Sequence, residues 1–489
     1  MYRILLSAAV VAYAWLTPGQ VLADPEVGAI ERDIRVLASP TFEGRGIDGP
    51  GANAAAGYIV ARLADAGAQP AAVESFYEHV PLRSHANNGV VATLDIGDRQ
   101  AASGQYFSFS GAVTEPLDVR TNLVIVFWSS GTAPSADFVG VPDLNEKIVV
   151  FANLGDTSVP PPPTVLELFE RALAATPVML FSAMDDLSVE LQAQEEVEAD
   201  DNATSDGPAW RYTLAGEMPA LSGAIDREWL LDAVPSLATN ASNGVLMLED
   251  AKFAVSLEDY RSCEHDTLNI VARVPGRKAD LQPILFSAHY DHLGKQGETY
   301  YPGADDNASG VAVLLDLARQ LAERPADRTV EFAFFTGEEH GLLGSQAFAE
   351  RHGANLSKYA YLINIDAIGR AAADDPQNNM KVFQQGLECI PQAKRIFEEA
   401  FAESVLELIA FEDFPMLAPM AAPCSLLKSG QGGAPSDQLS LAANGLQGII
   451  LHGGLSSDYH RPTDTPDKVL YEKLDALSGT LDAIVRASN

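Results

Sequence analysis

Three short, continuous apolar runs stand out in the C-terminal half of the chain, at residues 283–288, 330–335 and 361–365. Runs of this kind are typical of strands that are buried on both faces of a parallel sheet. Ligands of open α/β sheets bind beyond the carboxyl ends of such strands. We therefore expect the polar residues that follow the three runs to lie together at one edge of a sheet.

Those polar residues are one histidine and several carboxylates. The first run leads to His289 and Asp291, the second to Glu338 and Glu339, and the third to Asp366. Carboxylates removed from water are costly unless a positive charge compensates them. We interpret this edge of the sheet as a metal site.

A further acidic pair, Asp305 and Asp306, precedes a predicted helix. Asn307 or Ser309 can cap this helix, and apolar residues at helical spacing over residues 311–321 mark its buried face. Acidic residues at a helix N-terminus could simply complement its dipole. With a histidine nearby, one carboxylate that bridges two cations is the better account.

The alternation of strands and helices is interrupted at residues 119–254, which contain no histidine and no cluster of ligand residues. We predict an inserted, β-rich α+β accessory domain there. Residues 24–118 and 255–489 then form one catalytic domain. The predicted fold class is α/β, with a mixed, mainly parallel central sheet flanked by helices.

The composition is acidic. In 489 residues, 32 Lys and Arg stand against 67 Asp and Glu, which gives a formal net charge of −35. Nucleic acid and anionic membranes are disfavoured as partners because the dominant electrostatic term would be repulsive. The length and the hydrophobic content of 47% suit two or three domains.

Residues 1–23 resemble a signal peptide. Arg3 supplies the positive start, residues 4–16 an apolar core, and residues 21–23 a site for cleavage. The core is too short for a comfortable membrane span. We expect an exported protein, periplasmic or secreted, with no membrane anchor in its mature form.

Three cysteines are present, Cys263, Cys389 and Cys424, and they lack the CxxC spacing of a structural zinc site. A bridge between Cys389 and Cys424 is compatible with an exported protein. Three buried thiols fit the sequence equally well.

Neighbouring side chains diverge, so one of Glu338 and Glu339 can bind metal while the other holds a water. Zinc suits mixed imidazole and carboxylate ligands, with cobalt or manganese as possible substitutes. It lowers the pKa of a water from 15.7 towards roughly 7. The chain has neither the HExxH signature of helix-based zinc peptidases nor a GxSxG elbow.

Several segments resemble motifs of metallopeptidase family twenty-eight, the di-zinc aminopeptidases whose relatives include glutamate carboxypeptidase and the plasma carboxypeptidases. The resemblance covers most of residues 26–489. The segments follow the order of the family, at residues 289–291, 303–310, 337–339, 364–366 and 458–460.

The resemblance implies a zinc exopeptidase fold and two Zn²⁺ ions. His289 and Asp366 would bind one ion, Glu339 and His460 the other, and Asp306 would bridge them.

The resemblance also assigns supporting roles. Glu338 would be the general acid and base, Asp291 would orient the first histidine ligand, and Tyr459 would donate to the substrate carbonyl oxygen. The block at 119–254 resembles the protease-associated domain of the family, a lid-like accessory.

Some polar residues near the motifs have no assigned role. Many relatives carry Ser-Asp-His where this chain has Asp437 followed by Gln438, so neither receives one. His292, His340 and His452 match no ligand position, and surface or supporting roles are expected for each.

We therefore expect an exported di-zinc exopeptidase that acts on peptides, with aminopeptidase activity favoured. A carboxypeptidase or dipeptidase of the glutamate carboxypeptidase type is the main alternative, and Arg370 and Lys428 would be its candidates for holding a substrate carboxylate. A single-zinc glutaminyl cyclase suits the ligand set less well. Two alternatives are not enzymes: a non-catalytic receptor on the same fold, and a periplasmic binding protein that holds a cation.

Overall fold

The computed structural model describes most of the chain outside its first 26 residues. The described ranges are 27–47, 49–71, 75–86, 89–103, 107–110, 117–128, 142–154, 165, 168, 171–172, 179–184, 211–214, 221–238, 244–258, 261–373, 375 and 379–488. The predicted signal peptide lies outside them. Two units are present: the first holds the residues up to Val80 and from Asp266 onward, and the second holds Pro81–His265.

The helices and strands of the described residues are numbered in chain order. The α-helices are α1 (Ala29–Leu37), α2 (Pro50–Asp65), α3 (Arg227–Ala233), α4 (Pro235–Ala238), α5 (Gly310–Glu323), α6 (Leu343–His352), α7 (Pro391–Ala402), α8 (Cys424–Ser429), α9 (Gln438–Ala443) and α10 (Tyr471–Ala487). Single 3₁₀ turns cover Pro40–Arg45, Gly353–Lys358, Leu387–Cys389, Phe411–Asp413, Ala418–Met420 and Pro466–Lys468, and a π-helical turn covers Ala304–Ser309.

The strands are β1 (Gln69–Pro70), β2 (Tyr77–Ala86), β3 (Gly89–Ile96), β4 (Arg99–Ala102), β5 (Phe107–Ser110), β6 (Leu117–Trp128), β7 (Ile148–Asn153), β8 (Met179–Met184), β9 (Arg211–Leu214), β10 (Leu221–Asp226), β11 (Gly244–Glu258), β12 (Arg261–Val274), β13 (Ile284–His289), β14 (Lys295–Gln296), β15 (Thr299–Tyr300), β16 (Val330–Phe335), β17 (Leu362–Asp366), β18 (Lys381–Gln385), β19 (Glu407–Ala410) and β20 (Gly448–His452).

The sheet of the first unit has a parallel centre with antiparallel strands beside it. Its order runs β19–β18–β20–β17–β13–β16–β12. Strands β16, β13, β17 and β20 are mutually parallel, whereas β12 and β18 join them antiparallel. Every residue of β13, β16 and β17 is buried, as expected for strands covered by helices on both faces. The predicted α/β class with a mixed central sheet is confirmed.

Helix α5 follows the acidic pair, as predicted. Its buried face includes Val311, Leu314 and Leu321. The side-chain oxygen of Asn307 accepts the Gly310 backbone N–H at 3.0 Å, so Asn307 satisfies one of the free amides at the helix start.

The second unit is a β-rich α+β body. Its sheet runs β4–β3–β11–β6–β7–β8–β10–β5, with a parallel run from β6 through β10 and antiparallel strands on either side of it. One face packs a core around Phe181 and Phe253, and the other around Val126 and Phe151. Among the described residues, α3 and α4 are the complete helices of this unit.

The boundaries of the second unit differ from the predicted 119–254. They fall inside β2 and β12, at Val80 and Asp266. The reason is strand pairing: β3 pairs with β11, β4 pairs with β3, and β5 pairs with β10, so β3, β4 and β5 join the sheet of the second unit. Alternating polarity alone does not show which sheet a strand will join.

A disulfide links Cys389 to Cys424 across 35 residues of sequence, and Cys263 is exposed. The predicted bridge between Cys389 and Cys424 is therefore present, and the alternative of three buried thiols is wrong. Because a crosslink of this span restricts the unfolded chain, we expect Cys389→Ser/Cys424→Ser to lose about 2–4 kcal/mol of stability. Thermal unfolding would show this as a lower Tm, with Cys263→Ser as the control. An unchanged Tm in the double variant would contradict the expectation.

None of the helices in the described ranges has the length and apolar character required to cross a bilayer.

Candidate metal centre

The centre lies where the parallel strands of the first unit end. Strand β13 ends at His289 and β17 ends at Asp366, while β16 ends just before the turn that carries Glu338 and Glu339. These three strands are parallel neighbours, so their carboxyl ends meet at one edge of the sheet. The sequence therefore places the polar residues together through strand length and direction.

All five predicted ligands converge there. His289 Nε2 lies 3.1 Å from Asp366 Oδ1 and 3.2 Å from Asp306 Oδ1. His460 Nε2 lies 3.2 Å from the other Asp306 oxygen, Oδ2, and 3.0 Å from Glu339 Oε2. Asp306 thus turns one oxygen towards each histidine, which is the placement that a bridging carboxylate requires.

The donor set fits two divalent cations. His460 Nε2 is buried and makes no hydrogen bond among the described residues, although two carboxylate oxygens lie close to it. His289 Nε2 likewise faces oxygens of two carboxylates, and one N–H cannot point along both directions. Ring nitrogens and carboxylate oxygens grouped in this way match the ligand preference of zinc.

Two carboxylates of the centre, those of Glu339 and Asp306, favour their charged form. Burial and the neighbouring Asp306 oppose ionisation of Glu339, but contacts with His292 and His460 hold its pKa at about 2. Burial also opposes ionisation of Asp306, yet the imidazoles of His289 and His460, each 3.2 Å from one of its oxygens, keep its pKa well below the usual value. Charged carboxylates are the form that binds a metal ion.

Glu338 lies beside the ligands. Its carboxylate comes within 4.8 Å of ligand atoms of His289 and Asp366, and the residue lines a cavity next to the centre. Burial raises the pKa of Glu338 well above its usual value, against the opposing effect of His289. A carboxylate that readily takes up a proton is suited to general acid–base chemistry.

Asp291 is buried between two parts of the centre. Its Oδ1 accepts the Glu338 backbone N–H at 3.2 Å and lies 3.8 Å from His289 Nδ1. The Asp291 carbonyl oxygen is closer to that ring nitrogen, at 3.3 Å. Asp291 therefore contacts both the first histidine and the turn that carries Glu338, and the nearer contact to the ring comes from its backbone.

Tyr459 stacks on the ring of His460, with ring centroids 3.8 Å apart, and lines the cavity. Tyr459 is 39% exposed, but partial desolvation and the nearby carboxylates raise its pKa, so its hydroxyl stays protonated and can donate a hydrogen bond.

Two histidines without an assigned role are part of the surroundings. His292 is fully buried, and its Nδ1 lies 2.6 Å from Glu339 Oε1. Of the two roles expected for it, a surface position is therefore wrong, and the contact with Glu339 fits a supporting role. His452 lines the cavity, and its Nδ1 accepts the Gly454 backbone N–H at 2.8 Å. The one signal in the sequence was their position: His292 is three residues from His289, and His452 ends a buried strand.

Asp437 and Gln438, the two residues left without a role, lie at the start of helix α9. Asp437 is fully buried, and burial raises its pKa to about 7. Gln438 donates to the Ala434 carbonyl at 2.7 Å and accepts from Asn364 at 3.0 Å, so it fastens the loop to β17. His340 is only partly exposed, on the turn after Glu339.

The cavity beside the centre is mainly apolar. It measures about 130 Å³. Its apolar lining residues are Phe411, Leu417, Met420, Ala434, Pro435, Ile450 and Leu455. No lysine or arginine of the described ranges lines it. Arg370 instead pairs with Asp458 at 2.8 Å, and Lys428 is exposed on α8.

Comparison with known proteins gives the same family as the motifs. Residues 269–485 match the model of peptidase family M28. A probable zinc metalloprotease of Pyrenophora tritici-repentis is 38% identical over 184 residues, covering 36% of this chain and 42% of the relative. The chain thus spans less than half the length of this curated relative.

Solved structures are similar over nearly the whole chain at low identity. An aminopeptidase from Aneurinibacillus sp. strain AM-1 covers 96% of both chains at 19% identity, with a TM-score of 0.48. A zinc aminopeptidase from Bacillus subtilis covers 94% of both at 16% identity, with a TM-score of 0.46.

The matched residues 269–485 contain all five residues that converge at the centre, together with Glu338, Asp291 and Tyr459. Over residues 269–485, the part that carries this centre, the chain therefore matches peptidase family M28.

Proposed function

We propose that this chain is an exported zinc aminopeptidase that removes apolar residues from the N-termini of peptides. The observation that carries the proposal is the pair of histidines, each facing one oxygen of Asp306, with the carboxylate of Glu338 beside them. The Cys389–Cys424 bridge supports export, because disulfides persist mainly in oxidising compartments.

Two zinc ions would be held by the five converging residues, with Asp306 shared. His289 and Asp366 would complete one site, and Glu339 and His460 the other. When bound, zinc supplies Lewis acidity, which lowers the pKa of water and stabilises negative charge on oxygen.

Two residues of the chain would act on the proton and the substrate, and a third would support them. Glu338 would take a proton from the attacking water and return it to the leaving amine. Tyr459 would donate its hydroxyl hydrogen to the carbonyl oxygen of the bond that is cut. Asp291 would hold the Glu338 turn through the backbone contact of 3.2 Å. No covalent intermediate with the protein is needed.

The cavity supports an N-terminal substrate with an apolar side chain. An enzyme that binds a free C-terminus needs a cation for the substrate carboxylate, and the described lining offers no lysine or arginine. Arg370, one of the two proposed candidates for that role, is paired with Asp458. An apolar side chain gains free energy on leaving water for the apolar part of this lining, whereas a charged one would be left unpaired among those residues.

A panel of aminoacyl nitroanilides tests this function. We expect leucyl and phenylalanyl substrates to exceed lysyl and glutamyl ones at least ~10-fold in kcat/KM, because the apolar side of the cavity, away from the metal ligands, offers a buried charge no partner. N-acetylated substrates should be resistant. Cleavage of blocked peptides from a free C-terminus would contradict the proposal, and so would equal rates for all side chains.

A matched pair of variants links the preference to the cavity. Met420→Arg places a charge in the lining and should lower kcat/KM for the leucyl substrate at least ~10-fold. Met247→Arg makes the same change at an exposed position of the second unit and should leave kcat/KM unchanged. Equal effects of the two variants would count against the cavity as the side-chain site.

A further inference from the structure

The backbone of Asp306 is held from both sides by two buried groups of opposite charge. We propose that Asp464 and Arg45 are positioning residues, which together fix the backbone of Asp306 so that its two carboxylate oxygens face the two cation sites. The inference rests on the proposed zinc centre, and it concerns residues for which the sequence motifs suggested no role.

Asp464 holds the amide side. Its carboxylate accepts the backbone N–H of Asp305 through both oxygens, at 3.1 and 2.9 Å, and that of Asp306 at 3.2 Å. Its backbone carbonyl accepts a third N–H, from Ala304, at 3.2 Å. Asp464 is 1% exposed, so water does not compete for these contacts. Three consecutive backbone N–H groups, the last of which belongs to Asp306, thus donate to the carboxylate or the carbonyl oxygen of Asp464.

Arg45 holds the carbonyl side. Its guanidinium is fully buried and donates to the carbonyl oxygens of Pro302 at 2.7 Å, Gly303 at 2.8 Å and Asp306 at 3.4 Å. The same group donates to Tyr290 at 2.7 Å and to Leu37 at 2.8 Å. One side chain therefore ties the segment before Asp306 to the segment after His289.

The charge of Arg45 also matters, because the group lies among acids. Burial lowers its pKa to about 10, against the opposing effect of Asp306, Asp464 and other carboxylates nearby, so it remains charged at neutral pH. A planar guanidinium offers five N–H donors in a fixed fork, whereas a lysine offers three from a single point. Lysine could not reproduce the five contacts.

The backbone is tightly packed at Gly303, beside the guanidinium of Arg45. Gly303 has a positive φ of +56°, and an added Cβ would collide with the Asp306 carbonyl oxygen, Nη2 of Arg45 and the ring of His292. The close approach of Arg45 to this turn therefore requires glycine.

The two contacts account for which acid of the pair bridges. Asp305 turns its carboxylate away from the histidines and accepts the Gly369 N–H at 2.6 Å. The backbone N–H groups of Asp305 and Asp306 are both fixed on Asp464. In this arrangement the side chain of Asp306, and not that of Asp305, faces His289 and His460. The positioning residues thus set the register of the centre.

Zinc binding by the metal-free protein tests this inference. For Asp464→Asn, in competition with a chromophoric chelator, we expect the zinc Kd of at least one site to rise ~10–100-fold, the range found when a supporting partner of a metal ligand is lost. In the zinc-saturated variant, kcat should fall while KM changes little. Arg45→Lys tests the carbonyl side of the same residue, Asp306, and should weaken zinc binding by a similar factor.

The control is Asp33→Asn. Asp33 is a fully buried carboxylate that binds Tyr58 and Arg62, so its loss should lower Tm while leaving the zinc Kd unchanged. Wild-type Kd values for both zinc ions in folded Asp464→Asn or in Arg45→Lys would overturn the inference. A wild-type protein that binds zinc but cleaves no peptide would instead refute the proposed function and leave the positioning roles standing.

Discussion

Glu338→Gln is expected to keep both zinc ions and to lower kcat by about 10²–10⁴-fold, the usual contribution of a general base. The amide has nearly the shape of the carboxylate but cannot take up the proton of the attacking water. The five converging residues are unchanged in this variant, and the Glu338 backbone N–H can still donate to Asp291. The measurements are zinc content and kcat with a leucyl nitroanilide at saturation.

The control for this variant is Glu350→Gln, which makes the same change at an exposed position on helix α6. It should retain the wild-type kcat. Wild-type turnover in Glu338→Gln would remove Glu338 from the reaction. Loss of zinc together with turnover would instead make Glu338 a ligand, in conflict with its proposed role.

Asp306→Asn is expected to impair both zinc sites at once. Each Asp306 oxygen faces a different histidine, and an asparagine retains only one oxygen and no charge. The loss of affinity should exceed the ~10–100-fold that follows from losing a supporting partner, because a ligand itself is removed. Zinc per chain after equilibrium dialysis measures this, and activity should fall in parallel.

Asp305→Asn is the matched control, since it alters the adjacent buried acid, which faces the Gly369 N–H. It should bind both zinc ions. If Asp305→Asn lost the metal while Asp306→Asn kept it, the bridging role would belong to the other acid, and the interpretation of the centre would be wrong.

The strands that carry the centre were predictable because burial on both faces leaves a simple pattern. The apolar run at 330–335 coincides with β16, and the run at 283–288 differs from β13 by one residue at each end. Strand direction then brings His289 and Asp366 to one edge without further information. The family motifs supplied what periodicity could not, namely the choice of Asp306 over Asp305.

The supporting contacts were less accessible from sequence. Arg45 reaches the Asp306 carbonyl across 261 residues of chain, and Asp464 reaches the Asp306 amide across 158. Nothing local distinguishes an arginine that binds carbonyl oxygens in a core from one in a loop. The boundaries of the second unit were missed for a similar reason, because strand partners in β3 and β11 are distant in sequence.

The most direct test of the account is anomalous diffraction at the zinc absorption edge from crystals of the zinc-loaded protein. We expect two peaks, one contacted by His289 and Asp366 and the other by Glu339 and His460, with Asp306 contacting both. A single peak, or peaks away from these side chains, would contradict the shared-carboxylate centre on which the proposed function depends.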